Sequence, residues 1–204
     1  AYGHGSGLKL HVDNRFDKIY DYWKCKGDFG SCMTGRNRDE FYAYSVNAKA
    51  AYITDEHDYI VARAILFTDV TDQHGKKWRL LERQYASNKD DTLKRLLIDK
   101  LIHGEYIDGY KVIGASCSDA DAFVDISGNS LKNKKFEIDC RLDIRDTLSY
   151  QDSFKWYNHS KKKPIIMNRK NILTTLTPQT STSMGMRTGM NGMTIMDIIV
   201  KKPG

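Results

Sequence analysis

Tyr59-Ile60-Val61-Ala62-Arg63-Ala64-Ile65-Leu66-Phe67-Thr68-Asp69-Val70 is a long run of β-forming residues, and the architecture follows from it. Its alternate positions are apolar on both sides: Ile60, Ala62, Ala64 and Leu66 against Val61, Ile65 and Phe67. A strand of that kind is covered on both faces, which places it in the middle of a sheet. Arg63 is the exception, and a charge at that position demands a partner. Upstream, Tyr52-Ile53-Thr54 reads as a strand that enters through a tight polar turn, Asp55 to Asp58. Downstream, Asp72-Gln73-His74-Gly75 turns the chain, and Lys76 to Tyr85 returns antiparallel with Trp78, Leu80 and Leu81.

The pattern extends in both directions. Phe16, Ile19, Tyr20 and Trp23 recur at helical spacing, with Asp13 or Asn14 as N-cap, and Gly27, Gly30 and Gly35 break the following loop. A short helix is expected between Arg36 and Ala51. After the central strands, Ser87 or Asn88 caps a helix whose first turn holds Asp90 and Asp91, where the helix dipole favours negative charge. Leu93, Leu96, Leu97 and Leu101 form its apolar stripe, and Gly104 ends it. Lys111 to Ala115 reads as a strand, and Ala122 to Ile126 with Lys134 to Leu142 as a hairpin around Gly128-Asn129. The expected fold is α+β: a mostly antiparallel sheet of five or six strands with two or three helices.

Composition bounds the function. At 204 residues and 40% hydrophobic content the chain can bury a core of its own, and it is too apolar to be disordered. No apolar run reaches the length of a membrane span, so no membrane partner is expected, and Ala1 to Gly7 reads as a small-residue leader. The net charge of +6 is uneven: residues 1–158 hold 24 basic against 25 acidic residues, whereas residues 159–204 hold eight basic residues against Asp197. The expected division is a globular domain, 1–158, and a basic Gly/Met/Thr-rich extension, 159–204. Lys161, Lys162, Lys163, Arg169, Lys170 and Arg187 are the candidate contacts to a protein subunit or to nucleic acid, through an attraction that salt weakens. Phe154, Trp156 and Tyr157 lie near that run and are of the type that stacks on bases. Ile165-Ile166-Met167 and Ile172-Leu173 read as short anchoring strands. Thr174 to Gly192 has no periodicity, so the extension is expected to be held against something, a neighbouring subunit before its own body.

No motif fixes an activity. The spacings Cys25-x6-Cys32 and Cys117-x22-Cys140 lack the close pairs of a structural zinc site, and Cys140 alternates inward with Phe136 and Ile138. Cys32, within Gly30-Ser31-Cys32-Met33, is the one possible reactive residue, but a nucleophilic thiol needs a nearby base. His4, His11, His57, His74, His103 and His159 are the available histidines, and none stands in a setting that marks a base. Asp119, Asp121 and Asp125, like Asp139, Asp143 and Asp146, read as solvated strand ends. Neither GxxxxGK[ST] nor GxGxxG occurs. No catalytic residue, metal or cofactor is therefore assigned, and an enzyme is the less favoured reading.

Two resemblances add to this. The order of strands and helix over residues 51–116 is similar to the centre of an N-acetyltransferase-like fold. That family holds a cofactor pyrophosphate on a glycine-rich turn. Here the corresponding turn is Tyr85-Ala86-Ser87-Asn88-Lys89-Asp90-Asp91, without glycine and with two carboxylates, which implies a non-catalytic derivative. The second rests on Gly30-Ser31-Cys32-Met33, Ala62-Arg63-Ala64-Ile65-Leu66, Glu82-Arg83-Gln84-Tyr85 and Tyr150-Gln151-Asp152-Ser153-Phe154-Lys155-Trp156-Tyr157. Over residues 20–158 their order resembles a group of uncharacterised tailed-bacteriophage proteins. Gln84, where an aliphatic residue is expected, and the basic extension depart from that group. The resemblance implies a viral protein of the virion or the infected cell's cytoplasm, with a binding or assembly role. The alternatives are an acyltransferase-like or Cys32-dependent enzyme, and a nucleic-acid-binding accessory protein.

Overall fold

The computed structural model describes residues 7–31, 33–35, 47–116, 119, 121–138, 156–158, 163–166, 187–188 and 194–195. The chain divides into two compact units, Ala1–Ile172 and Leu173–Gly204.

The fold of the first unit is α+β. Among the described residues ten strands join one mixed, mostly antiparallel sheet: β1 (Lys9–Asp13), β2 (Ala48–Thr54), β3 (Ile60–Thr71), β4 (Lys77–Leu81), β5 (Tyr85–Ala86), β6 (Gly109–Lys111), β7 (Phe123–Asp125), β8 (Phe136–Ile138), β9 (Trp156–Asn158) and β10 (Lys163–Ile166). β3 is central, as its doubly apolar pattern requires. β2 lies along one edge with Ala51 opposite Ala64, while β5 and β4 lie along the other, Ala86 opposite Ala62 and Leu81 opposite Leu66. β8 pairs with the far end of β3 and with β10, which in turn pairs with β9. Among the described residues the one parallel strand pair is β4–β6, bridged by helix α2 (Asp91–His103).

The two faces of β3 feed two cores. Ala62, Ala64 and Leu66 meet Leu93, Leu97, Ile98 and Leu101 of α2, and the small side chains let the helix approach closely. Ile65 and Phe67 face Phe16, Ile19, Tyr20, Phe29 and Phe136 on the other side. Each large side chain so buried contributes about 1.5–3 kcal/mol. Gly109 marks the tightest backbone approach, since a Cβ there would lie 2.6 Å from the Val124 carbonyl oxygen.

Several expectations need correction. The helix begun at Phe16 is a single turn, α1 (Phe16–Ile19), and Trp23 is exposed. The Asp21 carboxylate accepts from the Trp23 amide and offers the backbone an alternative to the helix. The cap residue of α1 is Arg15, with no side-chain cap, although Asp13 accepts from its amide. Residues 48–51, expected within a short helix, belong to β2, and residues 36–46 lie outside the described set. β1 lies outside the sequence expectation: it is five residues long, with Lys9 exposed and the other four only partly buried, so it gives a weak local signal.

The strand expected over Lys76–Tyr85 is interrupted. Between the Leu66–Leu81 and Arg63–Tyr85 pairs the partner carries one residue more than β3, which makes residues 82–84 a bulge. Asp90, not Ser87 or Asn88, caps α2, accepting from the Thr92 amide at 2.8 Å. Ile98 joins the buried stripe and Leu96 is only partly buried. The strand expected from Lys111 instead ends there.

β7 and β8 do not form a hairpin. β7 pairs with β6, and after the Asp125–Ser130 turn the chain crosses to β8 on the opposite side of β3. Gln73 holds that crossing: its Nε2 donates to the Asn133 carbonyl and its Oε1 accepts from the Lys135 amide. Part of the C-terminal segment is carried by the chain's own sheet, since β10 includes the expected Ile165-Ile166 anchor. In the second unit β11 (Arg187–Thr188) pairs antiparallel with β12 (Thr194–Ile195).

Candidate functional site

Three clusters of polar residues merit a functional reading. The first surrounds Arg63, which is 1% exposed at the centre of β3. Its guanidinium carbon lies 4.7 Å from the Tyr20 ring, 5.1 Å from that of Phe29 and 5.7 Å from that of Tyr85. Nη1 donates to the Ile19 carbonyl and Nη2 to Thr34 Oγ1 at 2.7 Å. Cys25 Sγ sits 4.0 Å from Nη1. Burial pushes the Cys25 thiol up, and the nearby Arg63 charge offsets this only in part. Cys25 therefore stays protonated at neutral pH, which is the wrong state for a nucleophile. The cluster ties α1 and the 20–34 loop to the sheet.

The second cluster lies where β4 and β6 part. Lys111, fully buried, places its ammonium 3.0 Å from Glu82 and 5.1 Å from the Phe123 ring centre. Gln84 is also buried, and its Nε2 donates to the carbonyls of Glu82 and Lys111 at 2.9 Å each. Gln84 thereby cross-links the two strands.

The third is the turn into α2. Asn88 and Lys89 both adopt left-handed backbone, with φ of 53° and 59°. The 27–30 loop clasps them: the Asp28 amide donates to Asn88 Oδ1, the Lys89 amide donates to the Asp28 carbonyl, and Lys89 Nζ lies 3.3 Å from Asp28 Oδ2. Gly27 is required at the contact, because its φ is +77° and a Cβ would stand 2.6 Å from Asn88 Oδ1. With Asp90 on the Thr92 amide and Asp91 opening the helix, the turn opposes a phosphate.

Of the residues singled out in the sequence, Lys163 is in β10 opposite Asn158 and Arg187 in β11 opposite Ile195. Lys161, Lys162, Arg169, Lys170 and Cys32 lie outside the described residues, as do Phe154, Cys117, Cys140, His4 and His159. His57 and His74 fall in turns and His103 in the last turn of α2. Among the described residues no group of three His, Cys, Asp or Glu side chains is placed to hold a metal ion. No helix among them is long and apolar enough to cross a membrane.

Sequence reading passed over Asp72. It accepts from the Trp78 indole, from the amides of His74 and Lys76, and from Lys134 at 3.3 Å. Burial alone would raise its carboxyl, but these donors together bring it down to about 2. Since the folded value lies below the unfolded one, the stabilisation is complete above about pH 4 and disappears as pH falls through about 2. Asp72→Asn is expected to remove about 2 kcal/mol at pH 7 and to flatten the acid limb of stability between pH 4 and 2. Urea unfolding at a series of pH values checks this. An unchanged acid limb would mean that Asp72 does not drive it.

The fold and these clusters define an α+β protein whose buried charges serve its own architecture. Comparison with protein-family models, with curated proteins and with solved structures gives no match for the chain.

Proposed function

We propose that the chain is a non-catalytic binding or assembly protein of bacteriophage type, which contacts its neighbours through residues 159–204. The observation that carries this reading is the division of that region. Lys163–Ile166 is a strand of the first unit's sheet, whereas Leu173–Gly204 forms a unit of its own. A segment anchored at one end to a folded body, and rich in basic residues, is suited to bridging to another molecule. The exposed pair Tyr22 and Trp23, 65% and 80% accessible and packed edge-to-face, supports a binding role, since such aromatics are enriched where partners dock. The acyltransferase-like alternative has less support, because the turn into α2 lacks glycine and carries Asp90 and Asp91 where a pyrophosphate would have to bind. The phage assignment rests on the motif order alone.

Lysine cross-linking of the nuclease-treated assembly, read by mass spectrometry, tests the reading. Links from Lys161–Lys163, Lys170, Lys201 or Lys202 to other chains are expected. Links confined to the chain itself, together with monomeric sedimentation, would overturn it.

A further inference from the structure

The near-neutral charge of residues 1–158 conceals a local excess. Lys76 and Lys77 follow the β3–β4 turn, and Lys132, Lys134 and Lys135 lead into β8. The Gln73 side chain draws these two runs together through its bonds to Asn133 and Lys135, at 3.1 and 2.9 Å. The Trp78 ring lies between them, with Lys76 Nζ 4.0 Å and Lys134 Nζ 5.8 Å from its centre. Asp69 holds Lys77 at 2.6 Å, buried Asp72 holds Lys134, and Asp108 is held by Arg79 at 2.9 Å. Glu137 lies two residues beyond Lys135. Among the described residues Lys76 and Lys135 form no salt bridge, although the Lys76 charge acts on Asp108. β10 runs towards this same end, where Ile166 pairs with Phe136, next to Lys135.

We propose that this end of the sheet binds the phosphate backbone of a nucleic acid. The proposal goes beyond the assembly role above and adds a second partner, on a different surface. Lysines are compact, flexible point charges, suited to phosphates without regard to base sequence. None of the large exposed apolar side chains, Tyr22, Trp23, Tyr59, Tyr106, Val112 and Ile126, belongs to the 72–77 or 131–135 segments. A protein interface has an apolar or aromatic centre, whereas a nucleic-acid interface is more polar and more positive. The composition of this surface fits the second.

The test titrates the full chain against a labelled DNA duplex, and against its single strand, by fluorescence anisotropy over a range of salt. Binding is expected to weaken linearly in log–log form. Replacing Lys76 and Lys135 together by glutamine is expected to lower the duplex slope by about 2, since each phosphate contact contributes about 0.9. The same two positions changed to arginine keep the charge and are expected to keep the slope, which separates lost contacts from lost folding. Glutamine at Lys9, Lys24 and Lys100 is expected to leave it unchanged. Absence of binding at low salt, or an equal loss of slope in both glutamine variants, overturns the proposal. If DNA binding is absent while cross-links to protein neighbours persist, this partner is wrong and the assembly role stands. Loss of both removes both.

Discussion

Arg63→Ala is expected to destabilise the first unit by about 3–5 kcal/mol, a large share of the roughly 5–15 kcal/mol available to an ordinary domain. The side chain fills space between three aromatic rings, and its removal opens a cavity on the face of β3. It also withdraws the donors to the Ile19 carbonyl and Thr34 Oγ1, which fasten α1 and the following loop to the sheet. Arg63→Lys is expected to lose almost as much, because one ammonium cannot reproduce a planar fork that is in contact with rings and with two acceptors. Arg63→Met, which keeps volume but not donors, separates the packing loss from the hydrogen-bond loss. Denaturant unfolding followed by tryptophan fluorescence measures all three. A loss below about 1 kcal/mol for alanine would show that the loop is held by other contacts.

Glu82→Ala is the second large effect, at about 3–4 kcal/mol. It removes the carboxylate 3.0 Å from an ammonium that has no exposure to water. Lys111→Met deletes the buried charge but keeps a long side chain over Phe123. The double variant Glu82→Ala/Lys111→Met is therefore expected to be more stable than Glu82→Ala alone, because the cost lies in the buried charge and not in the lost attraction. A double-mutant cycle by urea unfolding gives the sign. A double variant less stable than either single one would mean that the pair matters by shape.

Much of the fold was legible because it rests on periodicity. The doubly apolar run at 60–67 can only be a covered strand, and the Asp55–Asp58 and Asp72–Gly75 turns on either side are written in local polar residues. The α2 stripe at Leu93, Leu97 and Leu101 was equally plain. The failures have local causes. Trp23 continues a helical spacing that Asp21 ends, and Gly128-Asn129 looks like the turn of a hairpin whose second strand pairs elsewhere. The candidate site was far less legible. Lys111 resembles any strand lysine in the sequence, and nothing local says that it meets Glu82 across 29 positions.

The amino-acid order thus dictated the α+β class, the central strand, the main helix and the need of Arg63 for a partner, because each follows from contacts or hydration costs within a few residues. The three-dimensional arrangement supplied the ring-lined setting of Arg63, the Glu82–Lys111 pair, the link through Gln84 and the gathering of two lysine runs by Gln73. These depend on which distant segments the sheet makes neighbours, and strand order is set by the packing of both faces at once, not by any one stretch of chain.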